Sequence, residues 1–388
     1  MGDKILKTMP KVKVDRPFEL LMASLKSVAS RETYAVNYRG FLKFSEMKNG
    51  QQIIDTTPKK LTEIIIGYIL QLQKEVNPNT IPTYLATVRS FLEINDIDLK
   101  WKKIKKFYPD KIKISGQNAY STEHVKKMLS VTTKLQHRAL IHFHASTGCR
   151  AGSNFYEYDK SLKRALTIGD LRDMPHGCQM VTIYRDTKDE YSTFLTPEAV
   201  IEIENFLTAR KNKGEILNNE SPLFIKLNGT PMTEMDAKQI FKRIVTVANV
   251  RGQMKNGRYP VQLVHGFRKR FNTIMKLNNS VNDNAIEKMM GHQKGLDGTY
   301  LQITDERLFE EFYKGITDLT ISDEFRDKLK IRELEKAKPD DEEIITKIMP
   351  EVLTHLRKEL GLGTITNDAV DTLNKEQLKN LVKNFLVN

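Results

Sequence analysis

Leu263-Val264-His265-Gly266-Phe267-Arg268 places a histidine and an arginine three residues apart in the second half of the chain. On a helix, side chains with this spacing project from one face, so both can reach a single ligand. A second polar segment follows at Met289-Met290-Gly291-His292, and Tyr300 comes eight residues after His292. Four candidate functional side chains therefore lie close together in the sequence.

Two further candidates lie upstream. The segment Ser146-Thr147-Gly148-Cys149-Arg150 follows an apolar helical stretch and ends in an arginine. Lys188 lies in the polar turn between the strand-like runs Met180–Tyr184 and Tyr191–Leu195, which predict an antiparallel hairpin. A single arginine or histidine in a basic protein is most often a surface residue. The set of six positions, rather than any one of them, therefore indicates a site.

The rest of the chain is typical of a mainly α-helical protein with one small antiparallel sheet. Four apolar stripes at helical spacing occupy the first hundred residues and begin at Phe18, Tyr34, Leu61 and Tyr84. After the hairpin the pattern returns to helices, and a charged, helical tail begins at Asp318. The breaks between the first stripes carry typical helix-ending residues, namely Asn49-Gly50, Thr57-Pro58 and Asn77-Pro78.

The composition is that of a folded protein with a polyanionic partner. The 388 residues are 39% hydrophobic and 29% charged, which argues against disorder. The net charge of +13 divides into +9 over residues 1–113, +7 over 114–317 and −3 over 318–388. Lysine and arginine in excess are expected where phosphates are bound. An ordinary basic surface would give the same total, so the charge alone decides nothing.

The cellular setting follows from what the sequence lacks. No run approaches the roughly 18 apolar residues of a membrane span, and the first residues lack the apolar core of a signal peptide. Two cysteines cannot build a disulfide framework or, alone, a four-ligand zinc site. We therefore expect a cytoplasmic protein that makes no membrane contact.

A lysine-rich stretch runs from Lys100 to Lys113, with seven lysines among Trp101, Phe107 and Tyr108. Such a stretch can follow a phosphate backbone, although many charge runs are only solvated surface. We expect phosphate contact, because the stretch lies between two basic parts of the chain. The candidate DNA-binding residues are Arg89, Lys102, Lys103, Lys105 and Lys106.

The six candidate side chains suit attack on a phosphodiester. Arginine forks bind the non-bridging oxygens in a bidentate manner and stay charged through the transition state. A histidine can move a proton near neutral pH, and a lysine can protonate the leaving oxygen. A tyrosine can be the covalent nucleophile if its proton is removed. This chemistry needs no metal and no cofactor.

These motifs resemble, in their order, those of the tyrosine recombinase (phage integrase) family. They are Thr147-Gly148-Cys149-Arg150, Lys188 in the hairpin, His265-Gly266-Phe267-Arg268, Gly291-His292 and Tyr300. The phrase from Gly291 to Ile321 is most similar to archaeal and proviral members. Thr80-Ile81-Pro82-Thr83-Tyr84 and Arg89-Ser90-Phe91-Leu92 resemble the core-binding domain of the family. The resemblance extends from about Asp15 to Ile321.

The resemblance implies a domain order and an assembly. Residues 1–99 would form the helical core-binding domain, 100–119 a basic linker, 120–320 the catalytic domain and 321–388 a helical extension. The two domains would form a C-shaped clamp around double-stranded DNA, and four protomers would act in pairs on two DNA partners. The extension would dock on a neighbouring protomer or pack on its own catalytic domain.

The resemblance also implies a role for each candidate. Arg150 and Arg268 would bind the scissile phosphate, and His292 would donate a hydrogen bond to it. His265 would serve as the acid/base group at the tyrosine, and Lys188 would protonate the leaving 5′-hydroxyl. Tyr300 would form the 3′-phosphotyrosyl link, which conserves the bond energy so that rejoining needs no ATP.

Two positions depart from the family pattern. Ser153 stands where an acidic residue is usual, three residues after the first motif arginine. Eight residues separate His292 from Tyr300 where nine is more common, which leaves Tyr313 as a second candidate nucleophile. Two other functions therefore stay open. One is a DNA-binding protein on a degenerate recombinase fold, and the other is a type IB topoisomerase, which relaxes supercoils without site preference.

One polar cluster has a weaker claim to function. His142, His144 and Cys149 could suggest a metal site, but residues two apart on a helix point to different faces. We expect the histidines to be core or surface residues and Cys149 to be a packing residue.

Overall fold

The computed structural model describes residues 15–113, 116–150, 165–255, 258–292 and 302–337. The chain divides into two compact units, with the boundary between residues 114 and 115. Each unit has hydrophobic side chains buried within it.

Helices make up the first unit throughout its described part. The four predicted apolar stripes are confirmed as the four longer helices, and the buried face of the third consists of Leu61, Ile65, Tyr68, Ile69 and Leu72. Their starts have ordinary physical causes, since Asp15 caps one helix and Pro58 opens another. The helices are α1 (Arg16–Ser24), α2 (Val28–Ser45), α3 (Gly50–Ile54), α4 (Pro58–Glu75), α5 (Ile81–Ile94) and α6 (Trp101–Ile104).

The short helix α3 was not predicted, because Asn49-Gly50 indicates a break. The same residues start the helix instead: the Asn49 side chain accepts the backbone N–H of Gln52 at 3.0 Å. Asp15, which already caps α1, also accepts the N–H of Gln51 at 3.1 Å. A turn signal and a helix start use the same residue types, so the sequence alone does not separate them.

Residues 101–108, expected in the linker, pack on the core of the first unit. Ile104 is fully buried, and Trp101 and Tyr108 pack against the same core. The side-chain amide of Gln73 donates to the carbonyl oxygen of Phe107 at 2.9 Å. The lysines of this stretch are therefore attached to the first unit by the apolar residues between them.

The second unit is helical around a three-stranded antiparallel sheet. The sheet runs in the order β1 (Leu171–Met174), β2 (Cys178–Ile183) and β3 (Tyr191–Leu195), with Leu171 opposite Val181 and Gln179 opposite Leu195. The helices are α7 (Thr122–Ser130), α8 (Leu135–Thr147), α9 (Pro197–Asn212), α10 (Glu234–Val247), α11 (His265–Leu277), α12 (Asp283–Met289), α13 (Asp305–Lys314), α14 (Ile316–Leu319) and α15 (Asp323–Ala337). The predicted fold class, mainly α with a small antiparallel sheet, is confirmed.

The sheet separates two apolar clusters. Val181, Ile183 and Leu195 face the cluster around α8 and α9, whereas Met180 and Phe194 face the cluster around α12 and α13. This division follows from the alternation of side chains along a strand. The predicted hairpin is confirmed as β2 and β3. Strand β1 was missed because it is short, at the sheet edge, and mostly polar.

The start of the tail is tied to the second unit by two buried charges. The carboxylate of Glu198, at the start of α9, accepts the backbone N–H groups of Ile321 at 2.6 Å and Ser322 at 2.9 Å. Arg270 of α11 is fully buried and donates to the carbonyl oxygen of Leu319 at 3.0 Å. The last predicted helix of the tail lies outside the described residues. Within the described ranges, no helix is long and apolar enough to cross a membrane.

Candidate functional site

Helix α11 carries the central pair of the site. His265 is its first residue and is exposed, whereas Arg268 lies one turn further and is 3% exposed. The helix start lies close to Tyr120, whose hydroxyl donates to the carbonyl oxygen of Leu263 at 2.8 Å. The expected placement of His265 and Arg268 on one helix is therefore seen.

The guanidinium of Arg268 is fixed by three acceptors. One terminal nitrogen donates to the carbonyl oxygen of Gly148 at 2.9 Å. The other donates to the carbonyl oxygen of Met290 at 2.6 Å and lies 2.7 Å from Nε2 of His292. Arg268 thereby joins the end of α8, the end of α12 and the histidine that follows α12.

The hydrogen-bond partners of His292 define its tautomer. Arginine has no acceptor, so Nε2 of His292 accepts from Arg268. The other ring nitrogen, Nδ1, lies 2.6 Å from a carboxylate oxygen of Glu287 and donates to it. The second carboxylate oxygen of Glu287 accepts from Lys276 at 2.6 Å. The ring is therefore neutral and protonated at Nδ1.

The sequence reasoning missed Glu287. Its signal in the sequence is a carboxylate five residues before the motif histidine, within the last turn of α12. Charged residues on exposed helix faces are common, and only the turn at Gly291 brings this one back to the ring.

Arg150 follows α8 directly, two residues after the carbonyl that binds Arg268. Its side chain is exposed. Its charge reaches the rings of His265 and His292, where it adds to the lowering of both pKa values. The charges of Arg150 and Arg268 therefore act on both His265 and His292.

Two glycines allow the loops around Arg268 to approach so closely. Gly148 ends α8 with φ +60°, and a Cβ there would lie 2.8 Å from the ring of Phe271. Gly291 has φ +63°, and a Cβ there would lie 2.6 Å from the ring of Tyr191. Both positions combine a left-handed backbone with the absence of space for a side chain.

Burial is the main cause of the lowered pKa values of the two histidines of the site, His265 and His292. Partial desolvation lowers the pKa of His265, helped by the charges of Lys269 and Arg268. Desolvation also lowers the pKa of His292, against the opposing effect of its hydrogen bond to Glu287. Both imidazoles are therefore neutral near pH 7 and able to accept a proton.

Cys149 is fully enclosed beside these groups. Burial raises the pKa of its thiol, and the hydroxyl of Tyr191 lies 3.7 Å from its sulfur. A thiol held in its protonated form is a poor nucleophile. The expectation that Cys149 is a packing residue agrees with this environment.

Lys188 lies in the turn between β2 and β3 with its side chain exposed. The turn is ordered by main-chain bonds, such as Thr187 N–H to the carbonyl oxygen of Tyr184 at 3.1 Å. Its base is anchored by the ion pair of Arg185 with the buried Asp170 at 3.3 Å. Tyr184 and Tyr191, at the two ends of the turn, stack edge to face.

Tyr300 and Ser153 lie outside the described residues. Tyr313, the alternative nucleophile, lies on α13. Its ring packs against His176, with centroids 4.6 Å apart, and against Phe309 at 5.9 Å. Phe309 belongs to the apolar cluster around α12 and α13, and the half-buried Tyr313 packs against that cluster.

The DNA-binding candidates lie on the first unit. The lysines at 102, 103, 105 and 106 are exposed. Arg89 is also exposed, but it pairs with Glu93 at 2.6 Å and lies 5.7 Å from the ring centroid of Trp101. Such an exposed pair stabilises a protein by only about 0.5 kcal/mol, so a phosphate can displace it.

His142 and His144 both lie on α8. Both are buried, and burial lowers their pKa values to about 4 and about 3. Over the part of the chain that the structure covers, no group of three or more histidine, cysteine, aspartate or glutamate side chains could hold a metal ion.

The chain is similar to known proteins in sequence and in fold. Residues 120–299 match the phage integrase family. The sequence matches no curated protein. Among solved structures, the lambda integrase dimer bound to a COC′ core site aligns with TM-score 0.50 and 14% identity, over 76% of this chain and 94% of that one. The Tn1549 transposon integrase in complex with transposon right end DNA aligns with TM-score 0.50 and 17% identity, over 76% and 98%. At these identities the likeness shows a shared fold.

Proposed function

We propose that this chain, which matches the phage integrase family over residues 120–299, is a site-specific DNA recombinase that cuts and rejoins DNA strands through a tyrosine. The observation that carries the proposal is the fixation of Arg268 by Gly148, Met290 and His292, beside the exposed Arg150. Two guanidinium groups and two imidazoles that lie together can stabilise the negative charge in the transition state of phosphodiester cleavage. The lambda and Tn1549 integrases of similar fold were solved with DNA bound.

In the proposed reaction Arg150 and Arg268 bind the non-bridging oxygens of the scissile phosphate. His265, neutral at the exposed start of α11, accepts the phenolic proton of Tyr300. The phenolate oxygen forms a bond to phosphorus while the bond to the 5′-oxygen breaks. Lys188 donates a proton to that oxygen, which leaves a 3′-phosphotyrosyl link and a free 5′-hydroxyl.

Rejoining is the reverse attack by a 5′-hydroxyl of the partner strand. Because the phosphotyrosyl link conserves the energy of the broken bond, the cycle needs no ATP. We propose that four protomers act in pairs on two DNA duplexes, with the first unit as the core-binding domain and the lysines of residues 100–113 on the phosphate backbone.

The tail has a proposed role in assembly, and the chain has a proposed origin in a mobile element. We propose that residues beyond 320 dock on a neighbouring protomer. The phrase from Gly291 to Ile321 further supports an origin in an archaeal or proviral element. A split repeat in the flanks of the gene, matching a host sequence, would support that origin and supply a candidate DNA site.

The test is capture of the covalent intermediate on a nicked substrate that carries the site. The unaltered chain and Tyr313→Phe should both become attached to DNA. Tyr300→Phe should bind the same DNA with unchanged affinity and form no adduct. An adduct that persists in Tyr300→Phe and disappears in Tyr313→Phe would move the nucleophile to α13.

The same assay separates the competing functions. Specific binding by the unaltered chain without any adduct would identify a DNA-binding protein. Relaxation of any supercoiled plasmid, without recombinant products, would identify a topoisomerase.

A further inference from the structure

Glu287 is the one carboxylate that contacts the cluster of Arg268 and His292 within the described residues. Its two oxygens have different partners, with Nδ1 of His292 at 2.6 Å on one and Lys276 at 2.6 Å on the other. Its own backbone carbonyl accepts the N–H of His292 at 2.9 Å. Main chain and side chain together therefore hold the imidazole in one orientation.

The present hydrogen bonds do not allow His292 to donate to a phosphate. Nε2 faces the site and accepts from Arg268, and a phosphate oxygen is also an acceptor. A donor at Nε2 requires a proton on that nitrogen. The ring can gain it from solvent and become an imidazolium, or it can move its own proton from Nδ1 to Nε2.

Glu287 decides between these two routes. Moving the proton from Nδ1 would leave a ring lone pair 2.6 Å from a carboxylate oxygen, so two acceptors would face each other. An imidazolium keeps the Nδ1–H bond to Glu287 and places its positive charge beside the carboxylate. Protonation also removes the acceptor of Arg268, which frees one of its N–H groups.

We propose that Glu287 is the positioning residue of His292, holding the Nδ1-protonated tautomer in the free enzyme and stabilising the imidazolium that forms when the scissile phosphate binds. Proton uptake at Nε2 then converts the pair of Arg268 and His292, which satisfy each other in the free protein, into two donors for the phosphate. One proton from solvent enters per site and no covalent bond changes. The inference rests on the proposed function for the identity of the phosphate.

The surroundings of His292 fit this role. The positive charges of Arg268 and Arg150 disfavour protonation of the His292 ring, whereas the carboxylate of Glu287 favours it. Lys276 forms an ion pair with the other carboxylate oxygen of Glu287 and so offsets part of its negative charge. The phenols of Tyr184 and Tyr191, below the turn, stay protonated because burial raises their pKa values. A bound phosphate adds the negative charge that the free site lacks.

The kinetic test uses single-turnover cleavage of a nicked substrate as a function of pH. The unaltered chain should lose rate as pH rises through the pKa of the DNA-bound His292. Glu287→Gln keeps an acceptor for Nδ1–H but loses the charge, so the falling limb should move about one unit to lower pH, with about a tenfold slower rate near neutral pH. Glu287→Asp should restore part of the rate. Glu310→Gln, an exposed carboxylate on α13, is the control and should leave the profile unchanged.

A second measurement does not depend on catalysis. In the free chain labelled with ¹⁵N-histidine, the ring signals of His292, assigned by comparison with His292→Gln, should show the Nδ1-protonated tautomer. Glu287→Ala should leave Nε2 as the acceptor of Arg268, but it should lower the pKa of His292, because the carboxylate that favours the imidazolium is lost. An unshifted pH profile in Glu287→Gln, or an unchanged titration of His292 in Glu287→Ala, would overturn the inference. If the unaltered chain cleaves no DNA, the proposed function fails while the titration of His292 still tests Glu287.

Discussion

The ring of Tyr191 supports the turn from which His292 projects. Gly291 lies directly on this ring, and the hydroxyl at its far end contacts the sulfur of Cys149. The ring therefore bridges the turn at Gly291 and Cys149, which follows the end of α8. A change of a few tenths of an ångström at Gly291 would move the acceptor of Arg268 and the imidazole together.

Substituting Gly291 tests this support. Gly291→Ala places a methyl group against the ring and forces a left-handed backbone on alanine. We expect a loss of about 2 to 4 kcal/mol in the free energy of unfolding and a large loss of DNA cleavage.

Gly214→Ala is the matched control, since Gly214 has φ +88° and nothing within 4 Å of a Cβ. It should cost about 1 to 2 kcal/mol for the backbone alone and leave cleavage intact. Urea unfolding of both variants gives the difference, and equal losses would contradict the steric argument.

The residues of the site divide into those that the sequence can indicate and those that it cannot. His265 and Arg268 were predictable because both spacing and residue type point to one helix face. Glu287 and Tyr191 were not, because their relation to His292 and Gly291 depends on where a left-handed turn directs the chain. No local pattern of polarity records such a tertiary contact.

Helix α11 connects the site with the start of the tail. Arg268 and Arg270 lie two residues apart and point to different sides of the helix, and both are buried. Arg268 binds the ends of α8 and α12, whereas Arg270 binds Thr122 at 3.1 Å and the carbonyl of Leu319. Glu198, whose charge acts on Arg270, receives the two N–H groups that follow α14.

Glu198 should therefore hold the start of α15 in place. Glu198→Gln replaces one carboxylate oxygen by an amide N–H₂ that faces a backbone N–H donor, and it removes the counter-charge of Arg270. We expect a loss of about 2 to 4 kcal/mol in the free energy of unfolding. Hydrogen exchange at the amides of Ile321 and Ser322 should become faster. Glu204→Gln, on the exposed face of the same helix, should change neither quantity, and unchanged exchange in Glu198→Gln would show that the carboxylate is dispensable.

Elements were predictable from the sequence in proportion to their length and amphipathicity. Helices such as α4 and α5 bury a regular apolar face, and strands β2 and β3 are apolar on both sides because each separates two clusters. The short elements α3 and β1 bury few side chains. Their formation depends on caps and on pairing with a neighbour, which a pattern of apolar residues does not record.

The two units should differ in how they respond to acid. All eight histidines lie beyond residue 120, and the only tryptophan, Trp101, lies in the first unit. The core of the second unit contains His142 and His144 in their neutral form, with pKa values lowered by burial. An unfolded chain binds protons at these histidines near pH 6.5, whereas the folded unit does so only near pH 4 and pH 3.

The stability of the second unit should therefore fall as pH falls below the unfolded value of 6.5. As pH falls from about 7 to about 5, each of these two histidines should lower the free energy of unfolding by about 2 kcal/mol. Circular dichroism in urea should record this loss, while the transition seen by Trp101 fluorescence should shift much less. His142→Gln should reduce the loss by about half. An equal shift of both signals would place the acid sensitivity outside these histidines.

The manner in which Arg268 is held has a consequence for how this protein can evolve. Two of its three acceptors are main-chain oxygens, which every residue type supplies equally. Selection for the binding of Arg268 therefore acts on the path of the backbone at positions 148 and 290. The side chain of Met290 is under a separate constraint, because it is buried in the apolar cluster around α12 and α13.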